Sequence, residues 1–323
     1  MVTSTRIWCA VGASTREEHS WPYGLHGASY QTSKPVRLHR YVCVRKDDIV
    51  ATSSESYANL EAFREFVREW MDTNAVIPDD IPIPERRIPM SQDLKQWALQ
   101  FRRKLGAQGW IAPDWPRAYG GGGLSAQQAK IVQQELAGHR LPPLQVSLMH
   151  TTAIRVFGTE EQKTTILASV LRGDVSMVHA FNEIGHGSDL SANTTSAISD
   201  GDDYIINGRK DQITCILPPD LVLCLAVTNP DAPAPQRFSV LAVDANAEGV
   251  LIKPESLLVP GREFKFFFTD AAVSRSNMVG KEGQGIEIAE FMVEMERGGI
   301  NSVPLELQRQ VEELERREHG DTP

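Results

Sequence analysis

The chain reads as an α+β protein: an all-helical amino-terminal domain, then a β-barrel or sandwich middle domain, then a return to helix. Three observations predict this. Up to about residue 174, apolar residues recur at three- and four-residue steps. Two helix-start signatures, Ser125 with Gln128 and Thr159 with Gln162, fall in that half. After Val175 the period changes to short β-rich runs separated by turn residues.

From about Tyr57, Leu60, Phe63, Phe66, Val67, Trp70 and Met71 mark one buried stripe of a helix. The proline-rich stretch 77–89 cannot continue it, because proline removes a donor and restricts the residue before it. A second helix follows Ser91, with Leu94, Trp97, Ala98, Phe101 and Leu105 on its apolar face and Gly106 near its end. Residues 110–123, with two prolines and four consecutive glycines, read as a loop. A helix opens at Ser125 and runs to about Ala137, another spans about Val146 to Phe157 and closes at Gly158, and a third opens at Thr159 and ends near Gly173.

The β-rich runs are Val175–Ala180, Thr194–Ile198, Tyr204–Asn207, Gln212–Ile216, Leu221–Thr228, Phe238–Val243, Val250–Lys253 and Phe264–Thr269. Asp200-Gly201 and Asn207-Gly208 are read as hairpin turns between them, and a compact antiparallel barrel or sandwich is implied. A final helix starts after Gly285, with Ile286, Ala289, Met292 and Val293 in register.

The chain has 323 residues, of which 41% are hydrophobic. That suffices to bury a large core. A formal charge of −9 argues against nucleic acid as a partner, since a phosphate-backbone binder needs a basic face. No apolar run approaches the ~20 residues of a membrane-spanning helix. Cys9, Cys43, Cys215 and Cys224 form no CxxC pair, so neither a zinc site nor a disulfide framework is indicated, and a reducing compartment fits. The first 46 residues carry seven Lys or Arg against Glu17 and Glu18, yet show no amphipathic helix with arginines on one face. They resemble a transit peptide weakly and read instead as a disordered extension, or as an error in the assigned start of the gene.

Four strings, in this order, carry a resemblance: Trp115-Pro116-Arg117-Ala118-Tyr119-Gly120-Gly121, Phe157-Gly158-Thr159-Glu160-Glu161-Gln162-Lys163, Glu183-Ile184-Gly185-His186-Gly187-Ser188-Asp189, and Asp200-Gly201-Asp202-Asp203-Tyr204-Ile205-Ile206-Asn207-Gly208-Arg209-Lys210. Together they resemble the acyl-CoA dehydrogenase family over about residues 58–300. The resemblance implies an extension at 1–56, a helical domain at 57–174, a β domain at 175–282, and at 283–323 only the start of a carboxy-terminal helical bundle with a charged tail. In the family that bundle covers the flavin and builds the oligomer. Here the stretch after Pro304 holds six acids and three bases where a long apolar helix is expected. The chain is accordingly expected to be a truncated product, or to depend on another subunit.

The resemblance further implies non-covalent FAD, an acyl-CoA substrate, an electron-transferring flavoprotein as acceptor, and a homo- or hetero-oligomer with a dehydrogenase-like chain. A cytoplasmic location is implied if the source is bacterial and a mitochondrial one if it is eukaryotic. Phe181, Asn182, Ser188 and Thr214 match flavin-contacting positions, and Ser188 also lies where the family approaches the pantetheine. Asn182 stands where Thr or Ser is usual, and Gln212 where an aromatic residue normally walls the flavin. The chemistry needs a carboxylate to take the α-proton while the β-hydrogen leaves as hydride. Glu296, directly before Arg297, matches the Glu-Arg pair of the branches that carry the base on this helix. A carboxylate against an apolar acyl chain gains basicity. Glu296 is therefore the candidate base, and Arg297 a candidate substrate contact. His186 reads as a solvated loop histidine, and Glu287, Glu290 and Glu294 as charges on the outer helix face. The alternative is a catalytically silent dehydrogenase-like subunit that binds or regulates a complete partner. A β-barrel that binds lipid or CoA without redox chemistry is a third possibility.

Overall fold

The computed structural model describes residues 60–298, apart from 86–87, 186–188 and 256–260. These residues fall within the compact unit formed by residues 53–323. Helix α1 (Leu60–Asn74) buries Phe63, Val67 and Met71, one residue per turn, against Phe101 and Leu105 of α2 (Gln92–Ala107) and Ile131 and Val132 of α3 (Ala126–Ala137). Phe66, expected in that stripe, stays 38% exposed, because it lies beside the line of Phe63, Val67 and Met71, its ring edge-on to Trp110 at 5.9 Å. Arg64 and Arg68 bridge α1 to Glu135 of α3 at 2.7 and 3.2 Å. Ser91 caps α2 as expected, and both capping boxes form, at Ser125 with Gln128 and at Thr159 with Gln162.

Helix α4 (Leu148–Phe157) ends at Gly158, which is extended rather than left-handed. Residues 160–171 form α5, whose middle, Lys163–Leu167, is a π turn that the apolar spacing did not announce. Gly106 of α2 lies so close under α5's end that a Cβ there would sit 2.1 Å from the Arg172 carbonyl oxygen.

Among the described residues eight strands make one sheet: β1 (Met177–Ala180), β2 (Ser196–Asp200), β3 (Asp203–Thr214), β4 (Leu221–Val227), β5 (Phe238–Asp244), β6 (Val250–Pro254), β7 (Glu263–Ser274) and β8 (Met278–Val279). Their order is β6-β7-β3-β2-β4-β5-β8, with β1 on β4. The sheet folds over itself, so that Tyr204, Ile206, Phe266 and Phe268 meet Val222, Cys224, Leu241 and Val243 in one core. The alternate residues of β4 and β5, Leu223, Leu225, Val240 and Ala242, face a second core made with α4, α5 and α6 (Gly285–Gly298). Burial on both faces explains why β4 is a continuous apolar run, LVLCLAV.

Two expectations are corrected. The sheet is mixed, since β1 runs parallel to β4 and Ser196 of β2 pairs in parallel with Val227. Parallel pairing needs a crossover, supplied here by the long excursion through β2 and β3. Asn207-Gly208 is no hairpin turn. Runs 204–207 and 212–216 belong largely to the single strand β3, which passes through a bulge at Gly208 and pairs with a β7 that extends five residues beyond Thr269. Gly208 has φ 151°. A Cβ on it would lie 2.7 Å from Thr195 Cα. This glycine therefore admits a neighbouring strand rather than turning the chain. Asp200-Gly201 does turn, between β2 and β3.

Arg102, Gln145 and Gln162 are among the side chains that fasten the helical half to the sheet. Buried Arg102 donates to the Gly173 carbonyl at 3.1 Å and the Ser176 hydroxyl at 2.7 Å. Gln145 accepts from the backbone of Ile216 and Leu217 at 2.6 and 2.5 Å. Gln162 donates to the carbonyls of Ser276 and Met278 at 2.7 and 2.8 Å.

Candidate functional site

Strand β1 is short, and its side chains divide between the two cores. Val178 and Ala180 enter the interior of the folded sheet, while Met177 and Phe181 face the helices. His179 lies between the latter two, its ring 5.0 Å from that of Phe181. Beyond Phe181 the chain enters loop 183–195, whose base is held by one carboxylate. Glu183 accepts from the Thr194 backbone and hydroxyl, both at 2.8 Å, and from the Thr195 backbone at 2.9 Å. The Lys210 ammonium meets its other side at 2.9 Å, with Lys210 wholly buried. Burial works to raise the Glu183 pKa, but the Lys210 charge, with hydrogen bonds from Lys210, Thr195 and Thr194, brings it down to about 2. Asn193 also donates to the Phe181 carbonyl at 2.5 Å. The loop is thus anchored at both ends of its span.

Strand β3 reaches the same place. Its even residues Tyr204, Ile206 and Lys210 are buried, and a bulge between Lys210 and Ile213 shifts the buried register to Ile213. The shift turns Gln212 and Thr214 outward. Gln212 takes φ 57°. Such a left-handed conformation is uncommon outside glycine. The Asp211 backbone donates to the Asn182 carbonyl at 3.0 Å, so the end of β1 and the bulge of β3 adjoin.

Helix α6 approaches from the helical side. Ile288, Ala289, Met292 and Met295 are buried, and Glu296 stands one turn beyond Met292 on that same side, exposed. Glu287, Glu290 and Glu294 are exposed on the outer face. The Glu296 charge acts on His179, which also receives a ring nitrogen of α4: His150 Nε2 lies 2.8 Å from His179 Nδ1. Burial, and secondarily the neighbouring His179, hold the His150 pKa well below its usual value. Burial lowers that of His179 too, with Glu296 opposing.

Of the residues singled out in the sequence, Phe181 and Asn182 follow β1 where Asp211 of β3 adjoins it, Thr214 stands at the end of β3, and the charge of Glu296 acts on His179. Ser188 and His186 lie outside the described residues, as does the side chain of Arg297. Sequence reasoning missed Lys210 with Glu183, and the His150–His179 pair. A signal existed for each. Period two places Lys210 in the buried register of Tyr204 and Ile206, and helical spacing places His150 in line with Ile154.

The polar positions fit the flavin that the resemblance implies. Among the described residues, the Asn182 amide and Thr214 hydroxyl make no side-chain hydrogen bond, and nothing lies within 4 Å of where a Cβ on Gly185 would stand. Position 212 supplies no aromatic wall.

Known proteins share the succession of a helical and a β domain. Residues 58–174 match the model described as "Acyl-CoA dehydrogenase, N-terminal domain", and residues 179–265 the one described as "Acyl-CoA dehydrogenase, middle domain". The chain is 32% identical over 229 residues to acyl-CoA dehydrogenase FadE26 of Mycobacterium tuberculosis, covering 68% of this chain but 57% of that one. The solved Tcur3481–Tcur3483 steroid ACAD is 26% identical with a TM-score of 0.60, over 74% of this chain and 61% of that one. The ChsE4–ChsE5 complex from Mycobacterium tuberculosis is 28% identical with a TM-score of 0.56, over 76% and 61%. The chain thus spans less than two thirds of the length of these relatives.

Proposed function

We propose, from the premise that the chain belongs to the acyl-CoA dehydrogenase family, that it takes part in α,β-dehydrogenation of an acyl-CoA thioester with FAD as cofactor. The observation that carries this reading is the junction of β1 and β3. There a buried Lys210–Glu183 pair holds the base of loop 183–195, while the polar side chains of Asn182 and Thr214 stay unengaged.

Bound FAD would supply the hydride acceptor. Asn182 and Thr214 would hydrogen-bond its polar edge, Phe181 would pack behind it, and Ser188 would sit beside it and the pantetheine. Glu296 would take the α-proton of the thioester as the β-hydrogen leaves with its electron pair, forming the α,β double bond. Arg297 would contact the substrate. An electron-transferring flavoprotein is the proposed onward acceptor, and pairing with a further dehydrogenase-like chain the proposed assembly. The similarity to the ChsE4–ChsE5 complex supports that assembly.

A second reading is favoured by the exposed Gln212 in place of an aromatic wall: a silent subunit that binds or regulates a complete partner. Purified full-length chain distinguishes the two. Flavin absorbance that bleaches on adding fatty or steroid acyl-CoA, and a Glu296→Gln variant that keeps the flavin but no longer bleaches, support the dehydrogenase. A colourless protein stabilised only by a dehydrogenase-like partner supports the silent subunit and overturns the first reading.

A further inference from the structure

His150 and His179 come from different elements, α4 and β1, and meet nitrogen to nitrogen at 2.8 Å with rings tilted by 56°. His150 is 6% exposed, and its remaining nitrogen, Nδ1, is buried with no hydrogen-bond partner. One proton must lie between the two rings, and its position is set by what surrounds the outer nitrogens. If His179 Nδ1 donated, His150 would be left with a buried, unpartnered N–H, the kind of orphan donor that folded proteins avoid. If His150 Nε2 donates, His150 Nδ1 carries only a lone pair. The proton of His179 then sits on Nε2, on the ring edge away from His150. The titratable groups that act on the His179 ring are His150 from α4 and Glu296 from α6. The charge of Glu296 works to raise the His179 pKa against its burial, while the orphaned His150 nitrogen selects the tautomer.

We propose that His150 and His179 form a buried imidazole pair in which His150 Nε2 donates to His179 Nδ1, fixing the tautomer and orientation of His179 and leaving its outer nitrogen, Nε2, protonated and open to the charge of the candidate base Glu296. This deepens the dehydrogenase reading and rests on it for its catalytic meaning. The orientation of His179 would be set as that of a ligand histidine is, by the partner on its second nitrogen. Such a role accounts for two features that packing alone does not: a buried histidine with an orphaned nitrogen, and a strand histidine placed between two apolar neighbours that face a helical core.

The test is long-range proton–nitrogen NMR on the full chain labelled at histidine, with the rings assigned through His150→Gln and His179→Gln. Glu296 is exposed, so Glu296→Gln leaves folding intact. The expected spectrum shows His179 protonated at Nε2 and bare at Nδ1, and Glu296→Gln lowers the His179 titration midpoint by about 0.5, as removal of one nearby carboxylate should. A proton on His179 Nδ1, or a midpoint unmoved in Glu296→Gln, overturns the proposal. Flavin bleaching in the same variant reports separately on Glu296 as base. Bleaching that persists sinks the base assignment while the tautomer and its coupling to Glu296 still stand or fall on the NMR result.

Discussion

The Lys210 ammonium lies 2.9 Å from a Glu183 carboxylate oxygen, with both side chains withdrawn from water. Removing one partner leaves a buried charge without compensation, whereas replacing both with apolar groups does not. Lys210→Met should therefore cost about 3–5 kcal/mol, and the double variant Lys210→Met/Glu183→Gln, which removes the charge and keeps an acceptor for the Thr194 and Thr195 donors, should recover part of that loss. Urea denaturation of the two variants measures the difference, and equal losses would show that the pair is not the source.

The same carboxylate sets an acid limit. With a folded pKa of about 2 against an ordinary 4.5, Glu183 contributes stability that is fully present above about pH 4.5 and is lost as pH falls from there toward 2. The urea midpoint of the natural chain should fall more steeply over that window than that of the double variant. Parallel slopes would assign acid unfolding to other groups.

His150 works in a higher range. Its folded pKa lies well below 6.5, so the unfolded chain binds the extra proton first, and stability is full above about pH 6.5 and declines as pH drops below it. His150→Gln cannot titrate and should flatten the decline between about pH 7 and pH 5. The check is the pH dependence of thermal unfolding for both proteins. A variant as pH-sensitive as the parent would contradict the buried neutral ring.

Gln212 is held at φ 57° in the bulge of β3. A left-handed backbone costs a non-glycine residue about 1–2 kcal/mol. Gln212→Gly should return about 1 kcal/mol of this, offset in part by the greater freedom glycine has when unfolded, and Gln212→Val should destabilise. Chemical denaturation decides. A stabilising Val or a destabilising Gly would show that the Gln212 side chain contributes more than its backbone costs.

Much of this architecture was legible in the sequence because its signals are local. Ser125 with Gln128 and Thr159 with Gln162 announce helix starts through hydrogen bonds spanning three residues, and both form. The apolar stripe of Phe63, Val67 and Met71 needs only helical spacing to be read. What escaped depends on neighbours distant in the chain. Asn207-Gly208 has hairpin chemistry, yet Gly208 serves the approach of Thr195 and β3 runs on through it. The parallel pairing of β1 with β4 leaves no mark on four residues. At the site, the strand Met177–Ala180 that leads to Phe181 and Asn182 was readable as a β-rich run. The ion pair of Glu183 with Lys210 and the meeting of His150 with His179 join residues 27 and 29 positions apart, and neither spacing is a signal in itself.

Gln162, Gln145 and Arg102 each send their polar ends from the helical half into carbonyls, amides or a hydroxyl at the sheet's margin. Peeling the layers apart would break those bonds and open to water the apolar core that Ile154, Leu171 and Ile288 share with Leu223, Leu225 and Val240, at about 25 cal/mol for each Å² exposed. The helices and the strands are therefore thermodynamic partners: heat should dissolve them in one transition, and a protease should find no lasting intermediate in which either survives alone.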